Sequence, residues 1–443
     1  MTKSASLSNH PKGLWVLAIT ELCERFAFWG VGNLLVLYLI EYYQFSNVKA
    51  THIYGIFTGV AAFLPLLGGW LADKWNYRMP MLLGAAANVF GCLLLAWGDA
   101  SMLYVSLAIL AGGFGLFTPS IVAILGHLYV DKSYLREAGF SIYYASINVG
   151  VFLAMFSLGI IAQELGWHTA FLLAAIVQLL GIIPIIWYMR AHNKTGKHAA
   201  PVIEAISNRK EPLTRGDYRR IAVILIFCIF SIFFWAAYNQ AFSSIAIFVH
   251  TFMNREVAGH TIPEGVFLST QSFFLILLAP VLACLYAWLQ KRHKDPSVAV
   301  KTMLSFFFMA AAFCIMMIGS YQIAPTETSA SVSSGYVIGT YFLIAVGEML
   351  LAPIGLSMVG ALAPGRLVGF FMGFWYVCVG VAFYTGGNLA GWMEKLGGLD
   401  RFFGIFVISS LIPAISLFLL RKKLTHMSRR DPHEVDGAPH IPR

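Results

Sequence analysis

Twelve long apolar segments, separated by short polar stretches, constrain what this chain can fold into. A helix needs about 20 apolar residues to cross the hydrocarbon core of a membrane, and each segment has about that length or more. The longest segments predict tilted helices or helices that project beyond the bilayer. We therefore predict an all-α polytopic membrane protein whose spans cover residues 13–40, 52–72, 79–97, 101–130, 137–163, 168–191, 219–250, 261–290, 298–321, 335–361, 366–394 and 401–421.

The composition excludes a soluble protein. Charged residues make up 12% of the chain and hydrophobic residues 58%, whereas a soluble domain carries about 25% charged residues. So little charge cannot cover a water-facing surface, which excludes soluble enzymes, nucleic-acid-binding proteins and disordered proteins. The lipid bilayer is the partner that this composition requires. The six cysteines all lie in apolar runs without metal-site or disulfide spacing, and we predict neither a metal nor a cofactor.

The distribution of Lys and Arg predicts the orientation of the chain. With both termini on one side, that side carries 25 of the 30 basic residues, and the opposite side carries only Lys49, Arg255, Lys395 and Arg401. Basic loops stay in the cytoplasm, so we predict that both termini are cytoplasmic. The net charge of +9 is explained by topology and gives no reason to expect nucleic acid. The first segment lacks a cleavage site, which predicts a retained helix in the inner (cytoplasmic) membrane.

The longest loop, at 192–218, predicts two domains. It separates a six-span bundle at 1–191 from a second six-span bundle at 219–421, which is followed by a basic tail at 422–443. Two six-helix bundles with substrate held between them form the arrangement of the major facilitator transporters. We therefore predict the major facilitator fold.

The loop after the second span also resembles this superfamily. Residues 69–78 are similar to its G-x-x-x-D-R-x-G-R loop, in which Asp73 would accept hydrogen bonds from a helix end of the facing domain. Asp73 and Arg78 are therefore candidates for a conformational latch. The alternative is an ordinary charged loop at the membrane edge.

Three charged residues, Glu21, Glu24 and Arg25, lie inside the first apolar segment. A charge at the centre of a membrane costs about 2.5–3.5 kcal/mol, so the cluster needs a reason to be there. Spacings of three and four residues place the three on one helix face, where Arg25 can pair with either carboxylate. The net acidic cluster can then bind a proton or be neutralised by a substrate cation. The alternative is an ion pair that only fixes packing, although apolar side chains would do so at lower cost.

A fourth deeply placed acid, Glu348, lies in the tenth segment. Pro353 and Gly355 follow it in the same span, where they are expected to kink or loosen the helix. An acid beside a breakable helix suggests a site for a substrate cation near a gate. The alternative is a charge at a helix end.

Uncharged polar residues occur inside several other spans. Asn148, Asn239 and Gln271 lie in the fifth, seventh and eighth. Each alone is more often a hydrogen-bonding contact between helices, but one on each of several spans can line a cavity between the halves. Trp235 and Trp375 can serve equally in packing or in such a cavity.

Five short motifs resemble the proton-dependent oligopeptide transporter (POT) family over nearly the whole chain. Residues 21–26 match E-x-x-E-R-F of the family's helix one, and residues 143–150 resemble F-Y-x-x-I-N-x-G of helix five. Residues 234–240 resemble F-W-x-x-x-E-Q of helix seven. Residues 347–357 resemble G-E-x-x-x-S-P-x-G-L-S of helix ten, and residues 372–375 follow M-G-x-W of helix eleven.

The resemblance implies uptake of di- and tripeptides, driven by the proton gradient through alternating access. In such transporters Glu21 and Glu24 would handle protons, and Arg25 would pair with the peptide carboxylate. Asn148 and Glu348 would hold the amino end of the peptide.

The chain departs from the family on the carboxylate side of the expected pocket. The family's helix-four lysine, which partners the helix-one acids and the substrate carboxylate, aligns with Thr118. Two tyrosines after E-R-F align with Phe28 and Trp29, and a helix-two tyrosine aligns with Ala62. One cation and several hydroxyl groups are thus replaced by a more apolar wall.

Two further departures lie elsewhere. The arginine and glutamate of the family's outer salt bridge align with Gly32 and Asn239, and a helix-eight asparagine aligns with Gln271. Both partners of the salt bridge are replaced together, so neither charge is left unpaired. Because the carboxylate side of the expected pocket has lost one cation and several hydroxyl groups, the departures also favour a substrate with a blocked, bulky or absent carboxylate.

We therefore predict a proton-coupled symporter, expected to be a monomer, for di- and tripeptides or peptide-like compounds. The alternative is a major facilitator transporter that imports or exports another amine-bearing or modified peptide-like solute. A membrane enzyme or nutrient sensor is disfavoured, since His127 and His168 are isolated and no His/Cys/Asp cluster is found in the sequence.

Overall fold

The computed structural model describes residues 10–75, 77–129, 135–191, 213–257, 259–292, 294, 296–323, 332–364, 367–393, 396 and 398–427. Its helices are α1 Lys12–Glu41, α2 Asn47–Trp75, α3 Arg78–Trp97, α4 Leu103–Leu128, α5 Arg136–Leu165, α6 Trp167–Ala191, α7 Arg215–Tyr238, α8 Ser244–Thr251, α9 Glu264–Lys291, α10 Val298–Ser320, α11 Ser334–Leu362, α12 Val368–Ala390 and α13 Leu399–Met427. A two-residue hairpin, β1 Glu256–Val257 and β2 His260–Thr261, precedes α9.

The predicted number of spans is confirmed. Within the described ranges, twelve helical spans are long and apolar enough to cross a membrane, with α7 and α8 counted as one span. Several helices extend beyond the predicted segments, because hydropathy marks only the apolar part of a helix. α7 begins at Arg215, where the Thr214 side chain accepts a hydrogen bond from Asp217 N–H and the Asp217 carboxylate accepts one from Thr214 N–H.

The seventh span is interrupted, although the sequence predicted a continuous helix over 219–250. Residues Asn239–Phe242 form a 3₁₀ turn between α7 and α8. Gln240 Nε2 donates to the carbonyl oxygen of Gly386 on α12 (2.8 Å), and Ser244 Oγ donates to Gln240 Oε1 (2.8 Å). Polar side chains thus compensate for a local change of helical geometry that hydropathy does not register.

Helices pack within each half of the chain and across the halves. In the first half (α1–α6), α1 packs on α5 and α6, and α4 packs on α2 and α3. In the second half (α7–α13), α10 packs on α11 and α13, and α7 packs on α12. The halves meet where α2 packs on α12 and α5 on α9.

Contacts between the halves close one side of the protein. We call this side, which carries Glu41, Leu165 and the hairpin β1–β2, the distal face, because Lys12 lies at the opposite end of α1. Close approach there depends on glycines. A Cβ at Gly387 of α12 would lie 2.3 Å from the Cα of Gly55 of α2, and a Cβ at Gly159 of α5 would lie 2.7 Å from the Cα of Gly265.

The predicted domain boundaries stay predictions. Residues 192–212 of the predicted linker and residues 428–443 of the predicted tail lie outside the described residues. α11 is helical through Pro353 and Gly355. The kink or loosening expected there stays a prediction.

Candidate functional site

The three charged residues of α1 lie buried side by side. Arg25 Nε is 2.6 Å from Glu21 Oε1 and 3.3 Å from Glu24 Oε2. Both glutamates are 0% exposed and Arg25 is 3% exposed. The helical repeat brings them together, as predicted from their spacing. Two carboxylates and one guanidinium leave the cluster with an excess of one negative charge, which a bound proton would neutralise.

Neighbouring helices of the first half complete the cluster. Asn88 Nδ2 of α3 donates to Glu24 Oε1 (3.0 Å), and Arg25 Nη2 donates to Thr118 Oγ1 of α4 (3.0 Å). The guanidinium carbon lies 4.9 Å from the ring centroid of Phe114. A buried guanidinium needs such partners to offset its lost hydration. Arg25 is therefore held by groups of its own half.

A cavity of about 320 Å³ lies between the two halves. Its wall is formed by α1, α2, α4 and α5 on one side and by α7, α9, α11 and α12 on the other. Ten aromatic side chains line it: Trp29, Tyr54, Phe114, Tyr144, Trp235, Tyr238, Phe242, Trp375, Tyr376 and Phe383. Their rings provide an apolar surface with a few hydroxyl and indole groups, as in many small-molecule sites.

Glu348 provides the one charged side chain among the described lining residues. It is 7% exposed, and its Oε2 accepts a 2.6 Å hydrogen bond from Gln271 Nε2 of α9. The Tyr238 hydroxyl accepts a 3.4 Å hydrogen bond from the same Gln271 Nε2. No ion pair of Glu348 is found among the described residues. A buried acid held by a neutral donor is suited to receive the positive charge of a ligand.

Three polar atoms on lining residues are buried without a hydrogen-bond partner in the described part of the chain. They are the donor Trp235 Nε1 and the acceptors Asn33 Oδ1 and Asn239 Oδ1. Buried polar groups are normally hydrogen-bonded. A donor and two acceptors in a cavity wall are available to a polar ligand.

Most of the predicted substrate-binding residues lie together in the cavity wall. Those that line it are Trp29, Thr118, Asn148, Trp235, Asn239, Gln271, Glu348 and Trp375. Phe28 is not among the lining residues. Its ring stacks on the ring of the lining residue Phe114, with 4.2 Å between the ring centroids. Arg25 is not among them either, and it reaches the wall through Thr118. The roles of these residues in binding stay predictions.

Sequence reasoning missed several lining residues, among them the tyrosines of α2, α5, α7 and α12. Tyr144 lies inside the stretch that resembles the helix-five motif. The motif did not indicate that its side chain lines the cavity. Asn88, an amide within a span, was a signal that the sequence analysis did not use. Which face of a helix borders a cavity follows from packing.

A second group of charges, at the distal face, was also missed. His250 Nδ1 of α8 lies 3.3 Å from Glu41 Oε1 of α1 and 3.1 Å from Glu264 Oε1 of α9. Arg255 Nη1 lies 2.6 Å from Glu264 Oε1, and Trp167 Nε1 donates to Glu41 Oε2 (3.1 Å). A cavity of about 210 Å³ adjoins them. Since the arginine already occupies the Glu264 oxygen, the group suits ion pairing between side chains and does not fit a metal cation.

The predicted latch is only partly described. Asp73 falls in α2, but its side chain lies outside the described residues. Arg78 is the first residue of α3. Their role as a latch stays a prediction.

The model of the Major Facilitator Superfamily matches residues 17–335. This chain belongs to that superfamily. The facilitator is 26% identical to dipeptide and tripeptide permease A of Escherichia coli, over 97% of this chain and 96% of the permease. It is 28% identical to peptide transporter YePEPT of Yersinia enterocolitica, over 93% of this chain and 94% of that protein.

Solved structures have the same fold as this facilitator. A mutant peptide transporter of the POT family in complex with alafosfalin superposes with a TM-score of 0.85 at 24% identity, over 95% of this chain and 96% of that one. A POT family transporter in complex with 5-aminolevulinic acid superposes with a TM-score of 0.83 at 21% identity, over 95% and 98%. The major facilitator fold and the resemblance to the POT family are confirmed. Family and fold indicate a transport role rather than catalysis.

Proposed function

We propose that this facilitator is a proton-coupled symporter that imports di- and tripeptides or related peptide-like compounds by alternating access. The observation that carries the proposal is a cavity between the halves with two separate acidic centres beside it. One is the cluster of Glu21, Glu24 and Arg25, and the other is Glu348. Relatives named as a dipeptide and tripeptide permease and as a peptide transporter align with this chain over nearly their full length, which supports the same substrate class. They do not favour the alternative of a different solute.

The proton is proposed to bind at the cluster in the first half. Burial disfavours the negative charge that exceeds the single guanidinium, so a proton that enters the cluster relieves this cost. The proton would also weaken the hold of the carboxylates on Arg25, whose guanidinium then becomes free to attract a substrate carboxylate. Thr118 connects this event to the cavity wall through its hydrogen bond to Arg25.

The amino end of the substrate is proposed to bind at Glu348 in the second half. Gln271 orients the carboxylate through its hydrogen bond and also contacts the Tyr238 hydroxyl, and Asn148 faces the same cavity from α5. A peptide that bridges Glu348 and the Arg25 side would touch both halves. Such a ligand stabilises states in which the halves are close, which is how binding drives a change of access.

The remaining features follow from this role. The distal face is proposed to be periplasmic and the termini cytoplasmic, in the inner membrane, in accord with the basic loops. The structure then corresponds to the state closed to the periplasm. We propose a monomer as the working unit, since the cavity is formed within a single chain.

The test is uptake of labelled peptides into proteoliposomes that contain the purified protein. An imposed gradient, acidic outside, should drive accumulation of dipeptides above the external concentration, and a protonophore should abolish it. A broad library of di- and tripeptides is needed, because the carboxylate side of the pocket differs from the family. If no peptide in the library accumulates under the gradient, the proposed function is wrong.

A further inference from the structure

At the distal face, the His250 side chain contacts carboxylates from both halves. It lies near the end of α8, in the second half, and its Nδ1 is within 3.3 Å of a carboxylate oxygen from each half. Glu41 comes from the last residue of α1 and Glu264 from the first residue of α9. Contact between Glu41 and His250 therefore exists only while the distal face is closed.

The charges around His250 favour a bound proton. Glu41 and Glu264 contribute two negative charges and Arg255 contributes one positive charge, so a neutral imidazole leaves the group with an excess negative charge. An imidazolium brings the group to neutrality and attracts both carboxylates at once. Both carboxylate oxygens contact the same ring atom, Nδ1, so they share its single N–H in either protonation state. The positive charge of the imidazolium offsets the repulsion between the two oxygens, which a neutral ring leaves in place.

Solvent can reach the group when the face is closed. The side chains of His250 and Glu41 are each 31% exposed, whereas the side chains of Glu264 and Arg255 are 11% and 19% exposed. Partial burial strengthens the ion pairs relative to surface pairs, and partial exposure lets protons exchange with the distal solution.

We propose that His250 is a second proton-binding residue of the transport cycle, whose imidazolium joins Glu41 of the first half to Glu264 of the second and so stabilises closure of the distal face. A proton taken up from an acidic distal solution thereby favours the change from distal-open to distal-closed. The proposal rests on alternating access but on neither the peptide nor the cluster of α1.

Other titratable groups near this interface are accounted for. Among the described residues, the charged groups in contact with His250 are Glu41 from α1 and Glu264 from α9, and Arg255 reaches it through Glu264. A second histidine also spans the halves, since His52 Nδ1 of α2 lies 2.6 Å from Asn388 Oδ1 of α12. Its partner is a neutral amide, so protonation of His52 gains no ion pair, and it supplies a matched control.

The experiment measures the distance between the halves at the distal face as a function of pH, without substrate. Spin labels are placed on Thr169→Cys and Tyr321→Cys, two exposed positions in opposite halves, in a protein whose native cysteines are replaced by alanine. Double electron–electron resonance at pH 8 and pH 5 gives the populations of the distal-closed and distal-open states. The same measurement is made on His250→Gln, His250→Lys and His52→Gln.

In the unsubstituted protein, acidification should raise the closed-to-open ratio about fivefold, the lower end of typical coupling between linked sites. His250→Gln should reduce this change to less than about twofold, while His250→Lys, with a permanent charge, should favour closure at both pH values. His52→Gln should behave as the unsubstituted protein. The lysine variant also shows whether loss of closure in the glutamine variant reflects charge or misfolding.

Two outcomes would overturn the proposal. One is an acid-induced change of the same size in His250→Gln and in the unsubstituted protein, which assigns the proton effect to other groups. The other is loss of the change in His52→Gln alone. Peptide uptake by the same preparations separates the two proposals, because failed uptake with an intact pH response contradicts the proposed cargo and leaves the role of His250 in place.

Discussion

Arg25 and Thr118 are joined by a 3.0 Å hydrogen bond between Nη2 and Oγ1, although 93 residues separate them in the chain. The resemblance to the POT family aligns Thr118 with a lysine, and on that alignment a neutral hydroxyl takes the place of a second cation. The guanidinium has Glu21, Glu24 and this hydroxyl as partners within the first half. The substrate side of the cluster is thus less positive than the signature of α1 implies.

Thr118→Lys should restore a cation at the cavity wall. We expect the preference for a dipeptide over its C-terminal amide to rise about tenfold, which corresponds to about 1.4 kcal/mol for one added charge-assisted contact. Competition against a labelled dipeptide in proteoliposomes measures this ratio. Thr118→Met, similar in length and uncharged, is the control. An equal rise of this preference in the methionine variant would mean that the length of the side chain, and not its charge, determines the preference for a free carboxylate.

Glu21→Gln and Glu24→Gln should uncouple transport from the proton gradient. Each amide preserves the shape of the side chain but cannot release a proton, so gradient-driven accumulation should fall to the level of equilibration. Exchange of labelled for unlabelled peptide across the membrane should be retained. Glu164→Gln, on an exposed residue of α5, should accumulate peptide normally. Accumulation that persists in both cluster variants would place the coupling proton elsewhere.

Glu348→Gln should weaken the binding of the amino end of the substrate. Loss of the charge removes an ion pair with a protonated amine in a buried site, for which we expect at least a tenfold rise in the half-saturating concentration of dipeptides. N-acetylated peptides lack the positive charge, so their competition should change by less than about threefold. Equal losses for free and acetylated peptides would indicate that Glu348 orders the helices without contacting the substrate.

Gly387→Ala should hinder closure of the distal face. An added Cβ would lie 2.3 Å from the Cα of Gly55 across the halves, a distance that only separation of α2 and α12 relieves. Overpacking of this kind costs about 1–3 kcal/mol, so we expect transport to slow by about tenfold or more. Gly112→Ala on α4 is the matched control, since a Cβ there meets no atom within 4 Å. Equal rates in the two variants would contradict the dependence on close approach.

Glu21 and Phe28 illustrate how far sequence reasoning reached in the site. The burial and pairing of Glu21 followed from the spacing of charges on one helix, which needs no knowledge of other helices. Phe28 and Trp29 are adjacent in sequence and both aligned with pocket tyrosines, yet only Trp29 lines the cavity. The rotation of α1 about its own axis, relative to the neighbouring helices, decides which of the two side chains faces the cavity. A local sequence pattern does not determine that rotation.

The sequence by itself determined the twelve spans and the charged face of α1, because transfer into lipid and the helical repeat act within single segments. The resemblance of its motifs added the expected fold and cargo. Only the tertiary structure decided that Thr118 contacts Arg25, that Gln271 holds Glu348, and that His250 lies between acids of both halves. These pairs join residues from different helices, so they exist only once the helices have packed against one another.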